Sequence, residues 1–112
     1  MIEESYVSFE TAKMLKEAGF DVPCRGGYHV NRFRYEAPTQ ALAARWLREV
    51  HRIVMDVAFV PPSVNGDVWQ CFVGKMDDMI WAGDFETSER TYATYEEALE
   101  SGLQEAIKLI KK

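Results

Sequence analysis

Residues 25–35, RGGYHVNRFRY, set Arg25, Arg32 and Arg34 among Tyr28, His29, Phe33 and Tyr35. Guanidinium groups neutralise phosphates and flat rings stack on bases, the combination that single-strand nucleic-acid binders use. Arg45, Arg48 and Arg52 follow on the polar side of a helical pattern and would extend that cationic surface. Two features weigh against it. The chain carries a net charge of −5, which weakens non-specific attraction to nucleic acid. Aromatic residues at this density are also what a short strand needs to pack.

The remaining chemistry-bearing residues give weaker patterns. His51 and Asp56 have the types of a base and its orienting carboxylate, yet no local motif puts a serine or cysteine nucleophile beside them. His51 reads better as a cation at the C-terminal end of a helix. Asp77, Asp78, Asp84 and Glu86 offer oxygen ligands, but lack the spacing and the glycine of a calcium loop. Gly26-Gly27 lacks the Lys-Ser/Thr of a phosphate-binding loop and reads as a turn. Cys24 and Cys71, without a Cys-x-x-Cys pair and with only two histidines in the chain, read as structural thiols rather than zinc ligands. No cofactor and no metal is implied.

The elements that would hold these residues follow from periodicity. Residues 37–51 form an amphipathic helix, with Pro38 in its first turn and an apolar side of Leu42, Ala43, Trp46, Leu47 and Val50. Gln40, Arg45, Arg48, Glu49 and Arg52 lie opposite. A short helix over 8–18 starts at Ser8 and closes at Gly19, with Phe20 folding back on Leu15. Residues 25–36 suit a short hairpin or edge strand. Ile53–Val60 alternates as a strand, Asn65-Gly66 signals a tight turn, and Val68–Met76 and Met79–Phe85 continue as strands. Thr94 and Glu97 match a capping box that opens a last helix, 94–110, with Leu99, Leu103, Ala106, Ile107 and Ile110 on one stripe. The expected fold is α+β: a three- or four-stranded antiparallel meander over 53–85, packed on one face by two long helices and the short N-terminal one.

Composition is that of one globular domain spanning 1–112. The chain is 47% hydrophobic and 28% charged, which disfavours wholesale disorder. No apolar run reaches the ~18–20 residues that span a bilayer. The start, MIEESYVSF, is acidic where a secretory signal is basic, so a cytoplasmic location and no membrane association are expected. Charge is segregated along the chain: residues 25–52 hold six arginines against two glutamates, and residues 53–105 hold two cations against eleven carboxylates. Such separation lets the two parts attract each other, a partner, or a second copy.

Three blocks resemble one family. SFETAKMLKEAGFDVPCR (8–25), APTQALAARWLREVHRI (37–53) and TYEEALESGLQEAIKLI (94–110) are similar to the opening, middle helix and tail of short proteins encoded by gut anaerobic bacteria and their phages and mobile elements. The blocks cover nearly half of the chain and include Phe9, Gly19, Cys24, Pro38, Trp46, His51 and Leu99. The resemblance implies a bacterial or phage cytoplasmic protein of α+β fold and brings no catalytic or binding residues with it. The functional expectation is a non-enzymatic accessory module that binds a protein partner or itself. The alternative is single-stranded nucleic-acid binding through Arg25, Tyr28, Arg32, Phe33, Arg34 and Tyr35 with Arg45, Arg48 and Arg52. A small enzyme ranks third.

Overall fold

The structure, a computed structural model, describes residues 5–59, 68–78, 86–87 and 91–110. Their order is α1 (Phe9–Glu17), β1 (Gly26–Val30), β2 (Phe33–Ala37), α2 (Gln40–His51), β3 (Ile53–Phe59), β4 (Trp69–Lys75), a short turn of helix at Met76–Asp78, β5 (Glu86–Thr87) and α3 (Tyr95–Ile110). The fold is α+β, with three helices and two antiparallel sheets.

α1 forms where its caps allow. The Ser8 side chain accepts from the Thr11 N–H, and Gly19 at φ +98° ends the helix. The Phe20 N–H then reaches the Leu15 carbonyl at 2.9 Å and the Gly19 N–H reaches Lys16 at 3.1 Å, so the last carbonyls are satisfied. α2 starts later than its sequence suggests. Thr39 is the cap, accepting from the Leu42 N–H, and Pro38 lies outside the helix, buried, with its carbonyl held by the Val7 N–H at 3.0 Å. A threonine hydroxyl satisfies an orphan N–H that proline leaves open, which moves the start.

The buried side of α2 is Gln40, Ala43, Trp46 and Leu47. Val50, expected in the core, is 59% exposed, because the chain reverses at Arg52 (φ 55°) into β3 and His51 takes the place over Trp46. The two rings meet edge-on with centroids 4.7 Å apart, and Phe20 meets Trp46 from another direction at 5.2 Å. Gln40, expected on the wet side, is buried.

Among the described residues the strands form two antiparallel sheets, β1-β2 and β3-β4-β5. Among those residues β1 and β2 pair only with each other, in register Val30↔Phe33 to Gly26↔Ala37, and this hairpin packs on α1. Gly26-Gly27, expected as a turn, opens β1 instead. β3 and β4 pair along their full length, Ile53↔Lys75 to Phe59↔Trp69, and β5 adds the short pairing Phe72↔Thr87 and Val73↔Glu86. The Asn65-Gly66 turn and the strand expected over 79–85 lie outside the described residues.

α3 lies on β4 and β3, and α2 packs on α3 and β3. Thr94 caps α3 by accepting from the Glu97 N–H at 3.1 Å. Its buried side is Ala98, Gly102, Leu103, Ala106 and Ile107, while Leu99 and Ile110 are half-buried. At Gly102 the helix lies close against the sheet. A Cβ there would fall inside contact distance of Cys71 Sγ and lie 3.2 Å from Met55 Cε. Leu15, Leu47, Ile53, Leu103 and Ile107 fill the core between these layers.

One carboxylate ties the three helices together. Glu100 Oε1, on α3, accepts from the Ser8 N–H at 2.6 Å and the Thr11 hydroxyl at 2.8 Å, both at the start of α1. Its Oε2 accepts from the Gln40 amide at 3.1 Å, at the start of α2, and the same amide donates to the Glu96 carbonyl at 3.0 Å. Gln104 donates to the Thr11 hydroxyl oxygen at 3.1 Å, so this buried threonine is fully used.

Alanine is intrinsically the better helix former by ~1 kcal/mol. Gly102→Ala is nevertheless expected to destabilise the protein by ~1–3 kcal/mol, through overpacking against Cys71. Chemical denaturation of Gly102→Ala, Cys71→Ala and the double variant checks this. The double variant should lose less than the sum of the singles, and strict additivity would refute the contact.

Candidate functional site

The hairpin commits Tyr28 and Tyr35 to packing on α1 and Arg34 to bonds within itself. The Tyr28 and Tyr35 rings meet Phe9 of α1 edge-on at 5.6 and 5.4 Å, and the Tyr28 hydroxyl donates to the Val7 carbonyl at 2.8 Å. Lys16 Nζ stands 4.7 Å from the Tyr35 centroid and 5.4 Å from that of Phe33, and donates to the Arg34 carbonyl. Arg34 lies over Gly27, pairs with Glu36 at 2.9 Å and donates to the Cys24 carbonyl at 2.9 Å. Glu36 also accepts from the Cys24 N–H at 2.7 Å.

These bonds hold the Glu36 carboxyl below the usual carboxylate range, first through Arg34 and then through the Cys24 amide. What remains outward is the tip. Asn31 and Arg32 make a two-residue turn with φ of 56° and 125°, Phe33 is 61% exposed, and Arg25 and Arg32 face solvent without an ion pair among the described residues.

The α2 arginines sit elsewhere. Arg45 pairs with Glu49 along the helix surface at 3.1 Å, and Arg52 pairs with Asp77 at 2.9 Å. Arg48 is exposed and has no ion pair among the described residues. Arg34 borders a groove between α1 and β2, whereas Arg45 and Arg48 border a separate one between α2, β3 and α3. The nine residues expected to form one basic-aromatic surface are therefore divided between two places, and Tyr28, Tyr35 and Arg34 are committed to folding.

The α2/β3/α3 groove, of about 480 Å³, was not evident in the sequence. Ala41, Ala44, Arg45 and Arg48 form its α2 wall, Met55, Asp56 and Val57 its β3 side, and Tyr95, Glu96 and Leu99 its α3 end. The two alanines on α2 are the one local sign of it, since small side chains leave space beside a strand. Among the described residues β3 is hydrogen-bonded on one side only, by β4. At one end of β3, Phe59 (66% exposed) and Tyr95 (44%) both meet Trp69 edge-on, at 5.6 and 5.5 Å.

Other candidate groups stay apart. His51 is on Trp46 and Asp56 is in the groove. Burial, with Asp56 adding to it, pushes the Cys71 thiol up to about 11, and burial followed by Glu36 raises Cys24. Neither thiol is primed as a thiolate. Among the described residues no three His, Cys, Asp or Glu side chains could hold a metal ion, and no helix is long and apolar enough to cross a membrane.

Compared with protein-family models, curated proteins and solved structures, the chain has no match.

The lowered Glu36 value sets an acid response. A carboxyl whose folded value lies below its unfolded one stabilises the fold at higher pH, and that contribution disappears as pH falls through the folded value. The Cys24 amide and the Arg34 Nε–H resonances should therefore move together in acid, below the range where an ordinary glutamate titrates. Glu36→Gln should abolish this joint transition in an NMR titration.

Proposed function

We propose that the chain is a non-enzymatic interaction module that binds a protein partner in the groove of α2, β3 and α3. The edge of β3 that no other strand pairs with among the described residues, beside an open groove, supports this most directly. An unpaired strand edge presents backbone donors and acceptors ready for another chain, and folded proteins usually blunt or cover such edges. The exposed Tyr95 in the groove lining, and the exposed Phe59 that shares the Trp69 ring with it, are the kind of aromatic anchors that interfaces bury. Self-association through opposed charges has less to draw on at the hairpin, where Arg34 is committed to Glu36 and to the Cys24 carbonyl.

The test is selection from a library of protein fragments encoded by the genome that carries this gene, with the full chain as bait. A fragment that binds saturably, one to one by calorimetry, is expected. Selection that yields no saturable binder would overturn the reading.

A second reading, single-stranded nucleic acid, rests on the hairpin tip: exposed Phe33 beside Lys16, and Arg32 at φ 125°. A non-glycine residue held there costs ~1–3 kcal/mol, and such strain is concentrated at functional positions. Arg32→Gly should raise the melting temperature. On this reading it should also abolish binding of a labelled oligonucleotide at low salt, and no binding by the unaltered chain would remove the reading.

A further inference from the structure

The lining of the groove specifies its occupant, given the interaction-module reading. We propose that the occupant is an extended segment of a protein partner that adds to the edge of β3 left unpaired among the described residues. Apolar side chains at alternate positions enter the groove, and an acidic side chain sits at the Arg48 end. Strand addition follows from geometry: alternate residues of β3 direct their N–H and C=O groups away from β4, and an extended peptide matches that repeat. Every second side chain of such a peptide faces the same way. There it meets Ala41, Ala44, Met55, Val57 and Leu99, a surface that is apolar and kept open by the two alanines.

Charge fixes the direction in which the segment lies. Arg48 has no ion pair among the described residues, and Arg45 is held only by an exposed helix-surface pair that is easily exchanged. Both stand on α2. At the α3 end Tyr95 and Glu96 line the groove, so an acidic side chain is attracted along α2 and repelled near Glu96. Asp56, midway along β3, bears on the other two occupants. A second copy pairing antiparallel through the full length of β3, centred on Asp56, would bring Asp56 against its own counterpart, where like charges directly opposite destabilise the pair. A nucleic-acid strand would bring phosphates against both Asp56 and Glu96.

Display of a random-peptide library against the full chain tests this. The enriched peptides should alternate apolar and polar positions and include an acidic residue towards one end. Arg48 is exposed, so Arg48→Glu should keep its circular dichroism while binding those peptides about tenfold more weakly, and selection on it should enrich a basic residue instead. Ala44→Glu, which fills the groove, should abolish binding.

Peptides that bind Arg48→Glu and Ala44→Glu as tightly as the unaltered chain would overturn the groove assignment while leaving the module reading standing. A dimer in light scattering that Phe59→Lys dissolves would instead make a second copy the occupant and overturn the proposal. Binding confined to oligonucleotides would overturn it as well. Failure here together with failure of the genome-fragment selection would remove both readings.

Discussion

The Glu100 carboxylate is the constraint on which the arrangement of the helices depends. It takes three donors from two other helices, the Ser8 N–H and Thr11 hydroxyl of α1 and the Gln40 amide of α2, and so fixes where both helices begin relative to α3. Helix N-termini carry partial positive charge, so a carboxylate placed at the start of α1 is favoured electrostatically as well as by hydrogen bonding. Without it, donors such as the buried Gln40 amide and Thr11 hydroxyl would lose a partner, at a cost of ~1–3 kcal/mol for each one left unsatisfied. Hydrophobic contact is non-directional. It brings Leu15, Leu47 and Leu103 together, and the polar junction then selects one registration of the helices over near alternatives that bury similar area.

That junction also shapes the groove. Gln40 is both a lining residue and the link from α2 to Glu96 and Glu100. The N-terminal half of α2 is held towards α3 by this link. Its other end is tied to β3 by the reversal at Arg52, with the Arg52 guanidinium on Asp77. The wall of the groove is thus anchored at both ends, while its middle carries Ala41 and Ala44, too small to fill the space to Met55 and Val57. A groove held open in this way would lose little entropy if an extended chain entered it, as proposed.

Much of the secondary structure was legible because its signals are local. Ser8, Gly19 and Phe20 announce both ends of α1, Thr94 announces α3, and the alternation of Ile53–Phe59 announces β3. The errors share a cause. Gln40 reads as a surface residue because periodicity scores polarity, and a buried amide needs partners on Glu96 and Glu100, 56 and 60 residues away. Val50 fits the apolar stripe by spacing, but helix geometry does not show that the chain will reverse at Arg52 and put His51 over Trp46. The basic-aromatic stretch was visible as composition, not as direction: Phe9 turns Tyr28 and Tyr35 inward, and Glu36 draws Arg34 onto its own hairpin. The groove draws its lining from positions 40–48, 55–57 and 95–99, a juxtaposition that only tertiary structure supplies. Charge segregation was read correctly as a pattern, and part of it is spent internally in the Arg52 to Asp77 pair.

Amide hydrogen exchange of the unaltered chain and of Glu100→Ala tests the polar junction most directly. The Ser8 amide sits at a helix cap, where exchange is ordinarily fast, and its bond to Glu100 should slow it. In Glu100→Ala, protection should fall at Ser8 and across the first turn of α2 together. Fast Ser8 exchange in the unaltered chain, or a loss confined to α3, would contradict the account.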